Sequence, residues 1–279
     1  MTSATMTNTA ALTSSATDRS TTFMNTLTSE WVKLTTLRST FVTLGAGVVL
    51  SIVMTAVVAL AVGSTWDSWS IEQQTQFVPV LMTMSGNVIL LIASAVFGAL
   101  AVSSEYSNGM IRLTLTATPR RGQVLLAKLL LVSSITLVLG VITTVGMFLI
   151  GRAVLESYGI PIAGLGDTDV QRLVIGLGVA TPLFPVFGVA LGIILRSTAG
   201  AITAAMGLLW LPQVFGELLP SGPQKVLSLA PQFGADSLTV AHFAESPLYS
   251  DPTAGALIVV VWLVAFVGAA YLVLKRRDA

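Results

Sequence analysis

Cysteine is absent, histidine occurs once, and only 10% of the 279 residues are charged. The missing cysteine excludes disulfides, thiol nucleophiles and cysteine-ligated zinc or iron–sulfur centres, and leaves the redox compartment open. Soluble domains carry about 25% charged residues, so a soluble fold of this length has too little polar surface here. What the chain has instead is 54% hydrophobic residues and a mean hydropathy of +0.86. Lipid is the solvent that suits such a composition. The net charge of +1 points to no acidic partner, and nothing in the sequence suggests nucleic acid.

The first 28 residues contain 14 Ser or Thr and only two charges, Asp18 and Arg19. They lack the basic start and apolar stretch of a secretory signal. Residues 1–22 read as a disordered tail, and residues 23–279 as a single transmembrane domain. A helix needs about 20 apolar residues to cross a bilayer. Six stretches without Asp, Glu, Lys, Arg or His meet or approach that length: about 41–63, 79–102, 129–151, 173–195, 201–216 and 255–274. The fold expected is therefore an all-α integral membrane protein with six transmembrane helices.

Basic residues in short loops set orientation. With the N-terminus inside, the inner segments hold 11 of the 14 Lys and Arg, while nine of the 13 acids fall outside. Both termini are thus expected in the cytoplasm. Trp66 and Trp69 then mark the outer interface and Trp31 the inner one.

No predicted span contains Asp, Glu, Lys, Arg or His. Proton relays and voltage sensors need such residues at membrane depth, which argues against a gradient-driven carrier. No G-x-x-x-x-G-K-[ST] phosphate loop occurs either, so the chain is not expected to be an enzyme that hydrolyses ATP. Gly164–Asp167 reads G-L-G-D, similar to the motif of intramembrane aspartyl proteases, but it falls in a loop and no second Asp lies in a span to share a proton. His242 also falls in an outer loop and reads as an ordinary loop histidine.

Span 4 contains Pro182 and Pro185, which remove backbone donors and bend helices. Gly188 and Gly192 form a G-x-x-x-G pair suited to close helix approach. The segment reads as a kinked, tightly packed helix, with a hinge at the two prolines as the functional alternative. Upstream of span 1, Phe23, Leu27, Trp31 and Leu34 recur at helical spacing beside Glu30, Lys33 and Arg38. This pattern predicts an amphipathic helix on the inner membrane face. Between spans 2 and 3, residues 105–128 carry four basic residues, read either as topology determinants or as a docking element. Pro119 ends any helix there near Thr118.

The segment resembles the corresponding loop of ABC-2-type transporter permeases, the membrane subunits of ATP-driven exporters. Glu105, Gly109, Pro119, Arg121 and Lys128 match that family's pattern, and Ser29–Thr40 is similar to its opening helix in actinobacterial members. The likeness covers the whole chain, including the tight turn at Arg196–Gly200 and the long loop between spans 5 and 6. It implies a pair of permeases, here a homodimer, in a bacterial plasma membrane above two cytoplasmic ATPase subunits that bind ATP and magnesium. It implies that a coupling helix at Glu105–Thr118 transmits ATP-driven closure, with Glu105, Gly109, Arg112, Pro119, Arg121 and Lys128 as coupling residues. The interfacial helix, with Trp31, Lys33 and Arg38, would rest on the same ATPase. The resemblance further implies export, and the uncharged spans suggest an apolar or amphipathic cargo. A non-transporting module that docks an ATPase is the reading from another class.

Overall fold

The computed structural model describes residues 22–107, 109, 121–216, 218–240 and 248–277. Every described element is helical. Helix α1 (Phe23–Thr36) begins at Thr22, whose hydroxyl accepts the Asn25 N–H, and ends at Leu37, which is extended. That break separates α1 from α2 (Arg38–Thr65), so α1 is a helix in its own right and not the start of span 1. A 3-10 turn (Trp66–Ser68), α3 (Ile71–Gln76), α4 (Pro79–Met82) and α5 (Asn87–Ser107) follow. The long α6 (Arg121–Ser157) leads to α7 (Thr168–Ala180), α8 (Leu183–Leu195) and α9 (Thr198–Gly216). Two short helices, α10 (Ser221–Leu227) and α11 (Pro231–Thr239), precede α12 (Pro252–Arg277).

Six segments are long and apolar enough to cross a membrane: Arg38–Ser68, Pro79–Tyr106, Arg121–Ser157, Thr168–Leu195, Thr198–Gly216 and Pro252–Arg276. These spans coincide with the six apolar stretches, but the helices run past the charges that bounded them. Span 3 begins at Arg121 rather than at Leu129, which places Lys128 within a helix. The chain ends meet on one face of the bundle. There Arg121 Nη1 donates to the carbonyls of Leu274 (2.7 Å) and Lys275 (3.2 Å), and Leu34 packs with Leu125, Leu129 and Leu274.

Small side chains let the helices approach. The buried stripe of span 1 is Thr40, Leu44, Gly47, Ser51, Thr55, Ala59 and Gly63, spaced so that one face meets spans 2 and 3. Span 4 is the central strut, 78% buried against 11% for span 6. A Cβ at Gly188 would collide with the Ala95 carbonyl, so the G-x-x-x-G pair does bring spans 4 and 2 together, as small residues do in membrane helices.

Two spans are interrupted, span 4 near its middle and span 2 near its start. Span 4 stops at Thr181–Pro182, between α7 and α8, and Thr181 Oγ1 donates back to the Leu177 carbonyl (3.0 Å). Pro185 lies in the first turn of α8, where no donor is needed. Span 2 is broken at residues 83–86, a feature the continuous apolar run does not reveal. Thr55 of span 1 repairs the gap: its hydroxyl accepts the Gly86 N–H (3.2 Å) and reaches the Thr83 carbonyl (3.5 Å). Irregular backbone at this depth is tolerated only where protein surrounds it, and a Cβ at Gly86 would strike the backbone of Ser51.

On the opposite face, Trp66, Trp69 and Phe77 form a ring cluster with centroids 5.3–5.5 Å apart. Asp167 of the G-L-G-D sequence caps α7, accepting the N–H groups of Asp169 (2.8 Å) and Val170 (3.3 Å). That is a structural task. His242 and Glu217 lie outside the described residues.

Candidate functional site

The spans carry their charges at the ends, and on the termini-bearing face four of these converge. Glu30 and Lys33 come from α1, Glu105 from the end of span 2 and Lys128 from the first turns of span 3. Lys33 Nζ lies 2.6 Å from Glu30 Oε1 and 3.2 Å from Glu105 Oε1. Lys128 Nζ lies 2.6 Å from Glu30 Oε2 and 2.9 Å from Glu105 Oε1. Each ammonium therefore touches both carboxylates, in a closed and electrically neutral square.

The square is dry on most sides. Glu30 is 1% exposed, Lys128 3% and Glu105 5%. Lys128 spends a further donor on the Ala101 carbonyl (2.9 Å). Burial pushes the Glu30 carboxyl up, but the Lys128 ammonium and then Lys33 outweigh it, so the group stays below the ordinary glutamate range. A crevice of about 180 Å³ reaches the site between Lys33, Leu37, Ser104 and Glu105, and Glu105 Oε2 has no hydrogen-bond partner there.

A buried ion pair is poor at stabilising a fold relative to apolar packing, yet losing one member is costly. The arrangement therefore suits a linkage better than a catalyst. It locks α1 to the helices on either side of residues 108–120. Among the described residues no group of three or more His, Cys, Asp or Glu could hold a metal.

Of the residues singled out from sequence, Lys33, Glu105 and Lys128 meet in the square. Arg121 does not; it caps span 6. Trp31 is 47% exposed, and Arg38 is exposed at the start of span 1. Gly109 is exposed with φ +67, a left-handed turn that glycine adopts freely. Arg112, Pro119 and most of the expected coupling helix lie outside the described residues. Pro182 stands at the break in span 4, lining an apolar groove with Val179, Leu183, Leu238 and Leu263. Glu30 is the residue sequence reasoning missed. The signal was present: it is the only acid between Asp18 and Asp67, and it falls a helical turn before Leu34, alongside the apolar stripe.

No curated protein matches the chain closely enough to add a relative. A family model, described as ABC-2 family transporter protein, matches residues 40–279. The match begins beyond α1, so Glu30 and Lys33 lie outside it while Glu105 and Lys128 lie inside. With six candidate spans, no phosphate-loop sequence and a family match over most of its length, the chain belongs to the ABC-2 family of transporter membrane proteins, as a permease component without an ATPase domain.

Proposed function

We propose that this permease exports an apolar or amphipathic compound, driven by ATP hydrolysed on a separate cytoplasmic ABC ATPase. In this reading both termini and the ionic square face the cytoplasm of a bacterial plasma membrane, and two copies of the chain pair to form the pathway. ATP and magnesium are bound by the ATPase partner. Residues 105–118 act as the coupling helix, α1 lies along the inner membrane face, and span 4 flexes at Pro182 and Pro185.

The observation that carries the reading is the square of Glu30, Lys33, Glu105 and Lys128 at the root of the loop between spans 2 and 3. It joins the loop that would meet an ATPase to three helices at once, so a displacement there moves them together. The excess of Lys and Arg on the same side supports the orientation. The apolar groove of about 450 Å³ beside the break in span 4 supports an apolar cargo, since such pockets take ligands of matching character.

The test is to purify the tagged chain from its native membranes in mild detergent and identify the proteins that come with it by mass spectrometry. A stoichiometric subunit bearing a phosphate loop is expected. Its ATPase rate in the complex should fall about tenfold in Glu105→Ala, a loss of about 1.4 kcal/mol of coupling, and to a lesser degree in Arg121→Ala, while both variants still insert. A chain that purifies alone, or hydrolysis unchanged in both variants, would overturn the reading.

A further inference from the structure

The remaining buried acid of the described residues lies at the other end of the molecule and has no cation. Asp236 sits on α11, which belongs to none of the six spans, and is 4% exposed. Gln232, one turn earlier and also 4% exposed, donates its amide to Asp236 Oδ1 at 2.9 Å. Gln213, an exposed residue of span 5, reaches Oδ2 at a long 3.4 Å. Among the described residues no ion pair reaches Asp236. The Oε1 of Gln232 is buried and has no hydrogen-bond partner among the described residues.

Among the described residues no cation compensates it. α11 packs on spans 4, 5 and 6. Span 4 carries Asp169 and Arg172 at the start of α7, 3.9 Å apart, and Lys225 of α10 is exposed. Asp251, before α12, is exposed and bound to Thr253. Lys275 and Arg276 end the same helix on the far side of the bundle, and α9 contains no titratable residue. Of uncharged titratable groups, Tyr249 packs on Phe233. His242 lies outside the described residues.

An unpaired carboxylate in such a place is expelled or neutralised. A metal ion would need about six oxygen ligands, and among the described residues this site supplies one carboxylate and two amides. A proton needs one acceptor. With the acid protonated, Asp236 and Gln232 become a reciprocal pair: the amide N–H donates to one carboxyl oxygen, and the carboxyl O–H can serve the amide oxygen that otherwise lacks a donor.

We propose that Asp236, clamped by Gln232 and reached from span 5 by Gln213, is a proton-binding site that holds α11 and the turn before it against the bundle when loaded and loosens them when empty. This segment is well placed to report on that proton. Gly234 lies in backbone contact with Gly255 of span 6, and Trp262 donates its indole N–H to the Leu229 carbonyl (2.7 Å). A charge on Asp236 would bear on both contacts. Burial pushes the Asp236 carboxyl up to about 7, against about 3.9 when solvated. A raised acid stabilises the packed form below its solvated value, and that support is lost as pH rises to about 7.

The site stands apart from the ATPase reading and can be tested on the full chain in lipid nanodiscs without nucleotide. Difference infrared spectroscopy should show a protonated carboxyl band that titrates near pH 7 and is missing in Asp236→Asn. Hydrogen exchange of amides in residues 221–239 should steepen with pH by up to tenfold per unit beyond the intrinsic rate below that midpoint. Above it the two should run parallel. In Asp236→Asn the excess slope should vanish. If that variant fails to insert, the wild-type titration decides alone. A band that titrates in the ordinary aspartate range, one whose midpoint moves with sodium concentration, or exchange that follows the intrinsic rate throughout would overturn the proposal.

Discussion

At the scale of single residues, the ionic square shows why a charge count cannot stand in for geometry. Lys128 was legible as a basic residue before span 3, and Glu105 as an acid after span 2. That Lys128 also pairs with Glu30 depends on α1 folding back, which no local pattern encodes. The consequence is testable. Lys128→Met leaves two buried carboxylates facing one ammonium, and the loss should be about 3–5 kcal/mol, read as a lower melting temperature of the purified chain. Adding Glu30→Gln restores neutrality with the Lys33–Glu105 pair intact, so the double variant should melt above the single one. If both melt alike, Lys128 contributes packing rather than charge.

At the scale of helices, the sequence showed where apolar runs lie but not where they break. Span 4 advertised its interruption through Pro182. Span 2 did not, because the hydroxyl that repairs its gap, that of Thr55, sits on another helix. Thr55→Val keeps the shape and removes the acceptor for the Gly86 N–H, and should cost about 1 kcal/mol. Gly188→Leu should cost more, because its Cβ meets backbone of span 2, and overpacking of a tight core costs about 1–3 kcal/mol. Thermal melts of the two variants side by side give the order. Pro182→Ala separates the structural and hinge readings of span 4. As a hinge, it should slow the partner's ATPase cycle without lowering the melting temperature; as a mere kink, it should leave the cycle unchanged.

At the scale of the whole molecule, the two ends of the bundle respond to pH in opposite senses. Glu30 is held below its usual range, so the docking of α1 is present above the ordinary glutamate value of about 4.3 and is lost as pH falls through and below it. Asp236 gives α11 at the other end the reverse dependence. The chain has no cysteine of its own, so a spin label on a single cysteine at exposed Val32 reports α1 alone. Its mobility should rise on acidification and stay flat through the neutral range.

The count of spans, their approximate limits, the clustering of basic residues on one side and the lack of nucleotide-binding machinery all follow from the sequence by itself. Each depends on composition within a stretch of chain, and a bilayer sorts such stretches by length and charge. The family resemblance rested on degenerate motifs, and the matched region bore it out. Only the tertiary structure decided that Glu30 is a partner and not a solvated charge, that span 2 is broken, and that Asp236, beyond span 5, is buried with no cation on it among the described residues. Those features join residues far apart in the chain. Their energies exist only once the helices have packed and water has been removed.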